Sequence, residues 1–320
     1  MGLHKRQVDR EPNDSRPGSM HSRGKPEGSS FHIREVLLLF FLVFLVFLIY
    51  SNTLGSPFIL DDRPNIVKNP HIRLTRINLG DIKRAGFDGP MKNRPVSYIS
   101  YGLNYYFHQY HVFGFHLANI LIHVTTGIFL YLFIKATLNL KTLRSRYGPY
   151  GWIPFIAVLV WLIHPIQTQS VTYIVQRMNS MASMFYVLAF FLYVRARLAD
   201  ENWKKWALFA ASAASGLCSF GSKEIAATLP FCIFLYEWYF FQDLSWTWLK
   251  GRLFLFVGVL LLFVVAAFIY LGANPVEKIL SSYAMRDFTL TQRVLTEFRV
   301  VIFYIGLLLF PHPSRLNLDR

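Results

Sequence analysis

Two adjacent carboxylates, Asp61 and Asp62, stand in the stretch Phe58-Ile59-Leu60-Asp61-Asp62-Arg63-Pro64, directly after the first long apolar run. A carboxylate placed there can take a proton from an acceptor, and a pair can hold a divalent cation such as Mg or Mn. The plainer alternative is a polar turn, because Asp-Asp-Arg-Pro is good turn chemistry at the end of a span. Further along, His164 opens His164-Pro165-Ile166-Gln167-Thr168-Gln169, and Arg177 follows in Gln176-Arg177-Met178-Asn179. A lone histidine there is more often a satisfied interfacial side chain than a ligand, and His164 stands as a candidate contact to a donor or lipid phosphate alongside Arg94, Arg177, Lys223, Glu224 and Arg299. An arginine in a short, otherwise neutral connection suits bidentate contact with phosphate. Lys223 and Glu224 form either a mutually neutralised turn or a cation–carboxylate pair beside a charged substrate. Arg299, in the last apolar run, either snorkels or binds a lipid phosphate.

These residues are positioned by a very apolar chain. Of 320 residues, 53% are hydrophobic, 17% aromatic and only 16% charged, against about 25% charged in a soluble domain. That composition predicts an all-α, polytopic membrane helix bundle. The net charge of +15 suits contact with anionic headgroups and a cytoplasmic charge bias. With no soluble basic domain in view, nucleic acid is not an expected partner. Cys218 and Cys232 both fall in apolar helical stretches, which excludes a disulfide framework or zinc spacing built from them.

In chain order, residues 1–34 read as a disordered, basic, cytoplasmic tail. The first span covers roughly 36–54, and residues 55–108 form a long outer loop. Within that loop Asn78 is placed to cap a short helix with Leu79, Ile82 and Phe87 on one face. A second helix is expected from Arg94-Pro95 through Tyr98, Tyr101, Tyr105, Tyr106 and Phe107, lying in the membrane interface. Further spans are predicted near 113–136, 152–165, 180–197, 205–221, 225–241, 253–271 and 294–310, about eight in all. Positive residues in the connections at 141–146, 195–205 and 250–252 place those connections with the tail. The loop at 63–94, rich in Arg and Lys, runs against that rule, and its cations could face phosphates at the outer surface. The chain stops soon after the last span, so a longer protein is expected.

The motifs come in a recognisable order. Phe58-Ile59-Leu60-Asp61-Asp62 is followed by Asn69-Pro70, Arg94-Pro95-Val96-Ser97 and Gly114-Phe115-His116-Leu117-Ala118-Asn119. Then come His164-Pro165-Ile166-Gln167-Thr168-Gln169, Gln176-Arg177 and Ser222-Lys223-Glu224. Together they resemble the membrane half of the transmembrane and tetratricopeptide-repeat protein family, of the GT-C glycosyltransferases. The resemblance covers most of residues 36–320. It implies a GT-C-like domain over 35–320 with two surface helices in the first outer loop. It also implies transfer of a sugar, often mannose, from a polyprenyl-phosphate carrier to a protein hydroxyl. Asp61-Asp62 would supply the general base, with Asp61 the first choice by analogy. The donor phosphate would meet Arg177 and also Lys223 or Arg94. This sequence departs from the family in showing no tetratricopeptide repeats and in having Gln176 where eukaryotic relatives tend to have glycine. The competing readings are a polytopic transporter or flippase, which needs polar side chains at mid-depth on several spans, and a non-catalytic membrane scaffold.

Overall fold

The computed structural model describes residues 27–254 and 286–312 continuously, with scattered positions between 257 and 283. The described residues are helical throughout, with no strand among them. The expected span at 253–271 falls largely outside them. The chain divides into two units, residues 1–38 and 39–320. Helix α1 (Glu27–Tyr50) begins inside the segment expected to be tail, eight residues before Glu35 and the apolar stretch.

After α1 the loop carries a π-helical turn at Arg63–Val67, a 3₁₀ turn at Pro70–Ile72, α2 (Leu79–Phe87) and α3 (Pro95–His108). Asn78 caps α2 as expected, its Oδ1 accepting from the Asp81 N–H at 2.8 Å. The apolar face does not turn inward, however. Leu79 and Phe87 stay exposed, while the small residues Ala85 and Gly86 pack on α3, where a larger side chain would not fit. Pro95 takes the first turn of α3, where no intrahelical N–H is needed. The aromatic face of α3 divides. Tyr98 and Tyr101 are fully buried in protein, and Tyr106 and Phe107 are exposed.

Helix α4 (Val112–Leu138) is central. It and the segment Glu35–Thr53 are the helices long and apolar enough to cross a membrane among the described residues. Then come α5 (Lys141–Tyr147) and α6 (Ile153–Ile163). Pro165 stops α6, and the following turn with α7 (Thr168–Thr172) leaves at 51°, so this pair could be one broken span. Helices α8 (Arg177–Arg197), α9 (Asn202–Phe220), α10 (Leu229–Phe240), α11 (Trp246–Gly251) and α12 (Leu290–Leu309) follow. The predicted apolar segments at 180–197, 205–221, 225–241 and 294–310 are therefore helices, although none of them meets the same length and hydropathy standard.

Leu42, Val46 and Tyr50 of α1 bury against Ile120 and Val124 of α4 and Val158 of α6. Gly127 lets α6 approach α4, since a Cβ there would lie 2.7 Å from Leu162 Cδ2. Helices α8 and α9 pack through small residues. Ser212 and Ser219 donate to the carbonyls of Ala189 and Ala182, each at 2.7 Å. Hydroxyl-to-backbone bonds of this kind hold apolar helices together where lipid offers no hydrophobic drive. A buried carboxylate, Glu237, joins α10 to α8 by accepting from Arg197 Nε at 2.9 Å and the Tyr193 hydroxyl at 2.6 Å.

Candidate active site at the carboxylate loop

The two aspartates have opposite surroundings. Asp62 is 1% exposed. Its Oδ2 accepts from the Ile59 N–H at 3.0 Å and its Oδ1 from the Val175 N–H at 2.7 Å. Burial pushes its carboxyl up, and the two N–H donors act against that. Asp62 thus clamps the loop to the segment before α8. Asp61 is exposed, and its carboxylate makes no hydrogen bond or ion pair among the described residues. Its backbone is fixed all the same, with the N–H donating to the Tyr173 hydroxyl at 2.8 Å. Leu60, just before it, has φ of 38° and is 77% exposed. A branched side chain rarely adopts that conformation, and such strain is held only where neighbours over-determine the backbone.

The cation reading of the pair gains no further ligand among the described residues. Both Asp62 oxygens already accept backbone N–H bonds, and no group of three or more His, Cys, Asp or Glu side chains could hold a metal ion among the described residues.

Behind the aspartates lies one buried layer. Tyr98 donates to Asn65 Oδ1 at 2.6 Å, and Tyr101 donates to the Val175 carbonyl at 2.9 Å. Their rings pack with Ile66, Phe115, Ile174 and Met178. Arg177 is 1% exposed in this layer. Its Nε donates to Asn119 Oδ1 at 2.7 Å, and its Nη2 donates to Asn104 Oδ1 at 2.7 Å and the Phe115 carbonyl at 2.8 Å. Its guanidinium also lies 4.9 Å from the Tyr101 ring centroid. Arg177 therefore ties α3, α4 and α8 together. The phosphate contact expected of it has no open donor face here, because the guanidinium fork already binds protein oxygens.

Arg94 and Glu224, 130 residues apart in sequence, meet as a fork pair. Arg94 Nη2 lies 2.9 Å from Glu224 Oε2 and its Nε 3.2 Å from Oε1, and Asn93 also donates to Glu224. Arg94 Nη1 reaches Met178 Sδ at 3.3 Å, which joins the pair to the buried layer. The backbone seals the same contact. The Val96 N–H donates to the Gly221 carbonyl at 3.0 Å, and Ser97 Oγ to the Ser222 carbonyl at 3.1 Å. Burial would raise the Glu224 carboxyl, but the bonds from Arg94 hold it below the usual carboxylate range. Lys223 is half-buried, and its ammonium makes no hydrogen bond among the described residues. Burial and then the Arg94 charge push its pKa down, with Glu224 opposing. A second anion arriving beside Lys223 would relieve that penalty.

His164 has both ring nitrogens engaged. Nδ1 accepts from the Ile166 N–H at 3.2 Å, which leaves Nε2 as the donor to the Leu308 carbonyl at 3.1 Å. It caps the turn after α6 and seats α12. Arg299 is exposed on α12, nine residues before Leu308 and so about 13 Å along the axis. No bond joins it to the carboxylate loop among the described residues.

Sequence reasoning missed Tyr173, Asn65, Asn104 and Asn119, because polar side chains scattered through apolar or loop segments give no periodic signal. It also missed His116, whose Nε2 bonds the Ser56 carbonyl at 3.0 Å while its buried Nδ1 has no partner among the described residues. The only cue to Asn119 and His116 was their membership of one motif.

The fold and this loop define an all-helical membrane protein with an exposed carboxylate held against a clamped polar layer. No protein-family model and no solved structure matches the chain. Among curated proteins it is similar to a Caenorhabditis elegans protein O-mannosyl-transferase, 28% identical over 54% of this chain and 25% of the relative. The human protein O-mannosyl-transferase TMTC4 is 27% identical over 46% of this chain and 21% of its own length. The Drosophila melanogaster protein O-mannosyl-transferase Tmtc3 is 24% identical over 69% of this chain and 26% of its own length. The chain spans about a quarter of the length of the curated relatives it matches. The resemblance read from the ordered motifs is thus matched by similarity to proteins named protein O-mannosyl-transferases.

Proposed function

We propose that this chain is the membrane half of a GT-C-type glycosyltransferase. It would move a sugar, mannose on the relatives' names, from a polyprenyl-phosphate carrier to a protein hydroxyl at the periplasmic or lumenal surface. The observation that carries the reading is the division of labour between Asp61 and Asp62: one carboxylate is exposed and uncommitted, and the other locks the backbone beneath it.

In this mechanism Asp61 accepts the proton of the acceptor hydroxyl. The hydroxyl oxygen bonds to the anomeric carbon as the carbon–oxygen bond to phosphate breaks, so the sugar inverts and polyprenyl phosphate leaves. Base catalysis of this kind contributes about 10²–10⁴-fold. Lys223 faces the leaving phosphate and stabilises its growing charge. Arg94 holds Glu224, the residue next to Lys223, and Asp62 and Arg177 are positioning residues. His164 seats α12, on which Arg299 contacts lipid headgroups. A transport path would need open polar groups inside the bundle, whereas the buried Ser212 and Ser219 of α9 are bonded to the backbone of α8.

The test is transfer from labelled polyprenyl-phosphate mannose to membrane proteins by the longest form of the protein. Asp61→Asn should abolish transfer with unchanged thermal stability. Full transfer by that variant would overturn the assignment of Asp61 as the base.

A further inference from the structure

A polar cavity of about 40 Å³ lies inside the helix bundle, bounded by α4, α6, α7 and the start of α8. That is far below the roughly 300 Å³ at which sites for organic ligands begin, and above the about 10–15 Å³ that one water needs. His123 of α4 lines the cavity and is 3% exposed. Its Nε2 lies 3.0 Å from the Leu162 carbonyl. A carbonyl can only accept, so the ring hydrogen sits on Nε2 and Nδ1 presents a lone pair. Nδ1 has no hydrogen-bond partner among the described residues. Trp161 packs on the ring with centroids 4.9 Å apart, which fixes the direction of Nδ1.

The other walls complement that lone pair. The Gln167 amide and the hydroxyls of Ser170 and Ser183 line the cavity and bond to no group among the described residues. Asn179 commits an amide hydrogen to Gln176 Oε1 at 2.5 Å, and Ser180 its hydroxyl hydrogen to the Ser170 carbonyl at 2.8 Å, so the oxygens of both remain as acceptors. No charged side chain lines the cavity among the described residues. The ligand that matches is small, neutral, and able to donate and accept at once. Its place beside the break fits too. The chain bends by 51° after α6, and a break within a membrane domain is tolerated where water and hydroxyl side chains satisfy the freed backbone groups.

The segment beyond the break has a second face. Ser170, Asn179 and Ser180 border the cavity, while between them the Val175 N–H donates to Asp62 at 2.7 Å and Arg177 enters the buried layer. We propose that the cavity binds ordered water, about three molecules by volume, and that this water braces from behind the segment that the Asp62 carboxylate clamps. The site needs no transfer reaction, so it stands or falls apart from the proposed function.

The experiment is a cryo-electron microscopy map of the full chain in lipid nanodiscs, at a resolution that shows ordered waters elsewhere in the bundle. Density is expected within about 3.2 Å of His123 Nδ1. A cavity without density in that map would overturn the proposal. Thermal midpoints in detergent test the brace independently. Ser183→Ala leaves room for the water, whereas Ser183→Val fills the space and strands the Nδ1 lone pair. The valine variant should therefore melt at least about 2 °C below the alanine variant, and protease cutting near residues 59–62 should rise in the valine variant alone. Equal midpoints, the reverse order or unchanged cutting would overturn the proposal, because filling a dry cavity stabilises. A midpoint that followed sodium or potassium concentration at constant ionic strength would also overturn it, because it would mark a bound cation.

Discussion

Replacing Arg177 by methionine separates a positioning arginine from a phosphate ligand. Methionine keeps an unbranched apolar stem and removes the guanidinium. Three protein oxygens, Asn119 Oδ1, Asn104 Oδ1 and the Phe115 carbonyl, then lose short bonds of 2.7–2.8 Å. Each buried acceptor left without a donor costs about 1–3 kcal/mol, and the amides can turn to recover part of it. A net loss of about 3–5 kcal/mol is therefore expected, the range seen when one partner of a buried charged contact is removed. At about 2–4 °C per kcal/mol for a chain of this order of size, the thermal midpoint in detergent should fall by at least about 6 °C. Asp61→Asn, which changes an exposed side chain with no bonded partner, should shift it by less than about 0.5 kcal/mol equivalent. The assay is unfolding of both purified variants followed by tryptophan fluorescence. An Arg177→Met protein as stable as the parent, yet unable to hold a polyprenyl-phosphate ligand, would refute the positioning role and restore the direct phosphate contact.

Other outcomes follow from the same layer. Asp62→Asn removes a carboxylate oxygen that accepts from Ile59 or Val175 and should destabilise the loop by about 1–3 kcal/mol; protease cutting near residues 59–62 should then rise, and no rise would remove Asp62 as the clamp. The Arg94–Glu224 contact should respond to acid. The Glu224 carboxyl is depressed in the folded state, so its stabilisation is complete above the ordinary carboxylate value of 4.5 and fades as pH falls through the lower folded value. An Arg94→Gln protein should lose that acid-dependent step while keeping the rest of its pH profile, as read by thermal midpoints between about pH 3 and 7. Gly221 lies where a Cβ would meet Val96 Cγ2 at 2.8 Å. Gly221→Val should lever the start of α3 away from Lys223 and Glu224 at a cost of about 1–3 kcal/mol, and should lower donor affinity more than it lowers stability.

Local order in this protein is written locally. The apolar runs place α1 and α4, Asn78 caps α2, and Pro165 breaks α6, because capping and helix breaking act within a turn or two of the residue responsible. The motif order likewise points to the relatives. What the sequence could not convey is which polar side chain finds a partner. Asp61 and Asp62 are chemically identical neighbours, and only the Val175 N–H, 113 residues away, makes one a clamp and leaves the other open. Arg177 reads as an exposed cation in a short connection, yet two asparagines from α3 and α4 draw it inside. Tyr98 and Tyr101 read as an interfacial aromatic face until the Asn65 amide and the Val175 carbonyl give their hydroxyls buried partners. Periodicity reports which face of a helix is apolar. Whether that face meets lipid or protein, and whether a charge meets solvent or an acceptor, depends on contacts between distant segments, which only the packed tertiary structure decides.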